Sequence, residues 1–286
     1  MKVKKLSPRK WYSPERLLFL LIAAAWAFVA VFPMYMVINI LFSPRSDAVF
    51  VNFHWLPTSL TEGLSSIQRV LKDSQFISGT LVSVAYGVFQ ALGMLLIASM
   101  AAFEFSLFEF PGKRPLFLIA LSSMMIPQAV TIIPAFRVVI SLGWVNTLQG
   151  LAVPGMASAS GLFILTQFME TIPKELLHSA SIDGANHFTQ YWRIALPLSK
   201  NSILTAGILC FLGAWGNLMW PLVVISLPNL QPMSYVVTKY ASAFSTLYPL
   251  NVQLAAMFLA SIPPLILFVV FQRFIINGIA TSGLKG

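Results

Sequence analysis

An all-α, polytopic membrane protein with six transmembrane helices is what this sequence predicts, on three observations. Apolar residues make up 57% of the 286-residue chain and charged residues only 9%, against roughly 25% charged residues in soluble domains. Six apolar segments, at 17–42, 76–103, 115–140, 147–168, 201–226 and 251–275, can each cross a hydrocarbon core about 30 Å thick, which takes about 20 helical residues. Nothing alternates with the period of two that a barrel strand needs, so backbone groups in lipid must be paired inside helices.

In chain order, residues 1–16 form a basic N-terminus with Lys2, Lys4, Lys5, Arg9, Lys10 and Arg16. The span at 17–42 is too long for a signal-peptide core and reads as a retained anchor. Residues 43–75 form an extracytoplasmic cap, 76–275 hold five further spans, and 276–286 form a tail. Orientation follows from the cationic residues, because inner loops retain Lys and Arg. With both termini cytoplasmic, thirteen of the 18 lie inside, including Lys113, Arg114, Lys174, Arg193, Lys200, Arg273 and Lys285. The outer five are Arg45, Arg69, Lys72, Arg137 and Lys239.

The net charge of +9 does not indicate nucleic acid, since it gathers before the first span rather than among aromatics. A multi-pass protein of the bacterial inner membrane, with the bilayer as solvent, accounts for it. The one cysteine, Cys210, has no partner for a disulfide or thiolate cluster within the chain. Prolines at 33, 127, 134, 154, 221, 263 and 264 interrupt most spans. In lipid such interruptions survive where neighbours or a water-filled cavity satisfy the freed carbonyls, so they mark a candidate path, with packing kinks as the plainer alternative.

The connection from Met169 to Lys200 is the most informative. Pro173 suits the first turn of a helix, Glu175 complements its positive dipole end, and Gly184 fits a left-handed stop. A second short helix runs from about Ala185 to Arg193, and Pro197 marks the return to the membrane. Lys174, Glu175 and His178 share one face of the first helix, with Leu176 and Ala180 on another. Two short helices at 171–193 thus form a knob suited to a groove on a soluble partner.

Here the sequence resembles the permeases of ATP-binding-cassette importers. Their signature is Glu-Ala-Ala, three residues, Gly, nine residues, then Ile, any residue, Leu, Pro. Gly184 and Ile194-Ala195-Leu196-Pro197 match at that spacing, with Asp183 and Ala185 flanking the glycine as is usual. His178 and Ser179 replace the Glu and first Ala, while Ala180 conforms. Glu175, one turn earlier, is the expected substitute carboxylate. Phe110-Pro111-Gly112-Lys113, Met125-Ile126-Pro127, Leu142-Gly143 with Asn146-Thr147, and Trp215 through Pro221 resemble the carbohydrate-uptake branch and its MalG-type subunit.

The resemblance implies a type I importer permease fold, a homologous second permease, an ATPase dimer and an extracytoplasmic solute-binding protein. ATP and Mg would sit on the ATPase, with no cofactor and no catalysis on this chain, which lacks a Gly-x4-Gly-Lys-Ser/Thr loop. The knob residues Lys174, Glu175, His178, Ala180, Asp183, Gly184 and Ala185 would meet the ATPase. So would the tail at Gly283, Leu284, Lys285 and Gly286. The cargo would be a sugar or oligosaccharide, or an acidic uronate if Arg137 and Lys239 bear on it.

Polar and aromatic residues inside spans, Asn39, Gln90, Gln128, Gln167, Trp215, Asn217 and Trp220, are pathway candidates. Interhelical bonding and packing are the plain alternatives. An ion-coupled transporter would place acids within spans, whereas all nine acids fall in loops or at span ends. A membrane enzyme would need histidines or paired acids at depth, whereas His54, His178 and His187 lie outside the spans.

Overall fold

The computed structural model describes residues 14–43, 54–241 and 248–282, which hold helices and no strand. In chain order these are α1 (Pro14–Leu41), α2 (Leu60–Leu71), α3 (Ser74–Leu107), α4 (Lys113–Ser122), α5 (Gln128–Ser141), α6 (Leu148–Ala152) and α7 (Ala159–Met169). There follow α8 (Lys174–Ile182), α9 (His187–Gln190), α10 (Leu196–Leu198), α11 (Lys200–Gly216), α12 (Met219–Val224), α13 (Met233–Ala241) and α14 (Leu250–Ser282). Among the described residues three single helices, α1, α3 and α14, are each long and apolar enough to cross a membrane.

The segments read as single spans at 115–140, 147–168 and 201–226 are instead broken. The α4 segment meets α5 at 103°, and the α6 segment meets α7 at 47°. Within 201–226, α11 ends at Gly216 before the short α12, and a further bend of 79°, between the His187–Leu198 segment and α11, lies just ahead of residue 201. Local chemistry accounts for each break. Pro127 disfavours helical geometry at the residue before it, and Ile126 is extended at φ −83°, ψ 116°. Pro154 sits in a 3₁₀ turn, Val153–Gly155, after which the Ser158 side chain caps α7 by accepting from Gly161 N at 3.1 Å. Asn217 is extended at φ −70°, ψ 118°. Its freed carbonyl accepts Ser234 Oγ at 2.7 Å, and its own Oδ1 accepts Trp220 N at 3.3 Å.

Other boundaries shift as well. The cap at 43–75 contains α2, and the second span begins at Ser74, where the Asp73 side chain caps α3. The last helix continues to Ser282, well past 275. The start of the N-terminal cationic cluster and the tail residues Gly283, Leu284, Lys285 and Gly286 lie outside the described residues.

Helix α3 is the axis of the bundle, packed mainly on α11 and α7. Three buried clusters surround it. At the knob end, Met94, Ala98, Ala102 and Phe103 meet Leu165, Met169, Leu177 and Tyr191. At the other end Phe76 packs with Met233, Val236, Tyr240 and Ala255, while Tyr86 meets Val139, Leu151, Trp220 and Val224. Burial from lipid carries no hydrophobic gain, so within the spans this packing holds by close contact and hydrogen bonds. Helix α1 leaves Leu17 through Val31 exposed and touches α14 and α2 near its C-terminal end, where Asn39 donates to the His54 carbonyl at 2.7 Å. At that same end Tyr240 hydrogen-bonds the Asp73 carboxylate, and Lys239 donates to Gln75 Oε1 at 3.1 Å.

Candidate functional site

A cavity of about 230 Å³ opens where the broken spans converge. Its lining includes Tyr86 and Gln90 from α3, Gln128 and Thr131 from α5, Pro154 and Gly155 from the break in span four, and Asn217 and Trp220 from the break in span five. Irregular backbone at membrane depth is tolerated where it lines such a cavity, and discontinuous helices build the solute sites of many transporters. The polar groups are amides, hydroxyls and an indole, with no charged side chain in the lining.

The walls are tied together. Trp220 Nε1 donates to the Gly150 and Leu151 carbonyls at 3.0 and 3.1 Å, fastening α12 to α6. Asn146, in left-handed geometry at φ 58°, accepts on Oδ1 from Ser226 N at 2.6 Å and Leu227 N at 3.1 Å. The start of span four and the end of span five are thereby clasped at one end. Gln90 Nε2 lies 3.7 Å from Cys210 Sγ, and a Cβ on Gly155 would approach the Gln90 amide to 2.5 Å. That glycine leaves room for the Gln90 headgroup.

Of the pathway candidates, Gln90, Gln128, Asn217 and Trp220 come together here. Gln167 is exposed near the end of α7, and Trp215 is buried against Phe211, with ring centroids 5.9 Å apart; neither lines the cavity. Tyr86, Thr131 and Gly155 were not singled out by sequence. The signal for two of them was helical spacing: Tyr86 lies four residues before Gln90, and Thr131 three after Gln128.

The knob is built from α8 and α9. Gly184, at φ +83°, ends α8 in a Schellman motif: its N–H donates to the Ser181 carbonyl at 3.1 Å and Ala185 N to the Ala180 carbonyl at 2.9 Å. Asn186 then caps α9 by accepting from Thr189 N at 2.8 Å. Pro173 stands at the N-cap of α8 rather than in its first turn. The second helix does not run regularly from 185 to 193, because a π turn occupies Tyr191–Ala195. Pro197, which lacks an N–H, stands two residues past that turn, and π turns often mark functional sites.

The knob's inner face differs from the Leu176 and Ala180 pairing. Leu177 is the buried leucine, under Phe103 and Tyr191, while Leu176 faces outward. Gln190, also buried and not foreseen, donates to Ser181 Oγ at 2.8 Å and to the Ala185 carbonyl at 3.1 Å, holding α8 to α9. Tyr191 OH bonds Ser99 Oγ at 2.7 Å, anchoring the knob to α3. Outward stand Ile182 (88% exposed), Phe188 and Trp192, and Lys174, Glu175, His178 and Asp183 of the same knob are exposed too. Lys174 Nζ comes 3.8 Å from Glu109, whose carboxyl is held below its usual range by the hydrogen bond and charge of Lys113 and, further off, by Lys174. Exposed aromatic and aliphatic side chains beside charged ones are what protein interfaces present.

Residues 93–281 match the family described as the binding-protein-dependent transport system inner membrane component. The chain belongs to that family. This permease is 31% identical, over 78% of each chain, to a protein of Rhizobium meliloti named the sn-glycerol-3-phosphate transport system permease protein UgpE. It is 28% identical, over 91% of its length and 93% of the relative's, to the arabinooligosaccharides transport system permease protein AraQ of Halalkalibacterium halodurans. Its fold matches, at a TM-score of 0.80 and 22% identity, a chain from the crystal structure of a bacterial ABC transporter involved in the import of the acidic polysaccharide alginate; the match covers 93% of this chain and 99% of that one. This permease is therefore an integral membrane transport component of an ABC importer, not an enzyme.

Proposed function

We propose that this permease imports a sugar or oligosaccharide. It forms half of the pathway with a homologous second permease, receives cargo from an extracytoplasmic solute-binding protein, and is driven by an ABC ATPase dimer that carries ATP and Mg. The knob faces the cytoplasm, as do both termini, and takes the ATPase through Ile182, Phe188 and Trp192 with Lys174, Glu175 and His178 on the rim. Closure of the ATPase dimer is transmitted through Leu177, Gln190 and Tyr191 to α3 and turns the broken spans about their hinges. ATP shifts the equilibrium because it binds the closed arrangement more tightly.

The observation that carries the reading is the cavity itself, whose amides, hydroxyls and indole converge at three helix breaks and suit a polyhydroxylated cargo. An arabinooligosaccharide permease among the relatives supports it. An anionic cargo is the second reading, favoured by the likeness to glycerol-phosphate permeases and to the alginate importer's fold.

The test is ATP hydrolysis by the reconstituted importer with its binding protein, across neutral oligosaccharides, uronates and glycerol phosphate. Stimulation by a neutral sugar is expected. Stimulation by acidic ligands alone would move the assignment to the second reading, and none by either class would overturn both.

A further inference from the structure

A second cavity, of about 460 Å³, lies at the knob end, away from the central one. Its lining includes Glu109, Lys113, Arg114, Glu170, Thr166 and the rings of Phe105 and Phe117. Arg114 and Glu170 carry opposite charge and line the same space, yet no ion pair joins them. Lys113 is already taken, donating to Glu109 Oε1 at 2.9 Å and to the Phe108 carbonyl at 2.8 Å. Thr166 is 1% exposed and its Oγ1, buried, has no hydrogen-bond partner. The 10-residue α4 begins here, so its positive dipole end and the Arg114 N–H, which no earlier turn engages, add to the Arg114 charge.

Beside the charges the surface turns apolar. Phe105 and Phe117 pack with ring centroids 5.3 Å apart, and Leu118 and Ile119 of α4 stand 58% and 67% exposed. A cation and a helix N-terminus on one side of a gap, a carboxylate on the other and an apolar exit match one class of molecule: a zwitterionic lipid headgroup with a primary ammonium.

We propose that this cavity binds one phosphatidylethanolamine. Its phosphate sits against Arg114 and the start of α4, its ammonium against Glu170, and its acyl chains leave over Phe117 toward Ile119. The net charge of the unpaired lining groups is zero, which selects against a purely anionic lipid, and a trimethylated ammonium has no N–H to give Glu170. The proposal does not depend on which solute is carried.

The test is native mass spectrometry of the full importer complex, delipidated and then exposed to phosphatidylethanolamine, phosphatidylcholine, phosphatidylglycerol or soluble phosphoethanolamine. One phosphatidylethanolamine should be retained at least about tenfold better than the other two lipids. Arg114→Gln should lose that retention, Arg114→Lys should keep most of it, and Glu170→Gln should erase the preference over phosphatidylcholine. Complex assembly, read in the same spectra, shows whether each variant folds. Equal retention of all three lipids, or unchanged retention in Arg114→Gln, would overturn the site. Displacement by soluble phosphoethanolamine as effective as by the lipid would overturn the lipid assignment.

Discussion

Spans one, two and six run unbroken, whereas spans three, four and five break, and proline content does not separate the two groups. Helix α14 carries Pro263 and Pro264 inside one continuous helix, and α1 carries Pro33. Pro127, Pro154 and Pro221 stand beside breaks. At two of the three breaks side chains supply the partners: Ser158 in span four, and Ser234 and the Asn217 side chain in span five, satisfy backbone groups there, whereas the break at Pro127 has no side-chain cap. The breaks then converge on the central cavity. At spans four and five side chains take over backbone hydrogen bonds at the break, and one of them, Asn217, also lines the cavity.

The contrast is open to attack, most severely at Trp220. Removing this buried indole strips two hydrogen bonds between broken spans, and Trp220→Ala should cost about 3–5 kcal/mol of thermal stability in detergent. Phe28→Ala on the exposed face of unbroken α1 should leave the melting temperature unchanged. The Asn146 clasp comes next. Asn146→Ala loses its bonds to Ser226 and Leu227 and places alanine in left-handed geometry, a loss of about 2–3 kcal/mol. Asn146→Gly, which tolerates that geometry, should recover part of it.

Within the cavity, Gln90→Leu should raise the transport KM about tenfold while leaving basal ATP hydrolysis and melting temperature near wild type. A parallel fall in stability would mean that Gln90 only packs. The smallest effect belongs to Glu109, just before the first broken span. Its carboxyl has a lowered pKa when folded, so its support is present above the unfolded pKa and is lost as pH falls through the folded one. Acid titration of melting temperature should show a shallow loss that Glu109→Gln abolishes; because the group is fully exposed, salt should weaken the effect.

Much of this was legible from the chain. Hydropathy placed six membrane crossings because lipid demands about 20 apolar residues each. The glycine stop at Gly184 was readable because few residues other than glycine adopt φ +83° without strain. The breaks were not legible, since the partners that permit them, such as Ser234 for Asn217, come from other spans. Leu176 and Leu177 are adjacent, and which one turns inward depends on how α8 docks on α3, not on spacing alone. Trp215 and Trp220 look alike in sequence, yet one stacks on Phe211 and the other lines the cavity. The π turn at Tyr191–Ala195 leaves no compositional trace at all.

In the proposed mechanism the knob is the place where a separate ATPase applies force. In a Cys210→Ser background, Ile182→Cys should resist a membrane-impermeant maleimide in intact cells, react in inside-out vesicles, and be shielded when the ATPase is bound. Labelling of Ile182→Cys from outside intact cells, or labelling indifferent to the ATPase, would contradict it.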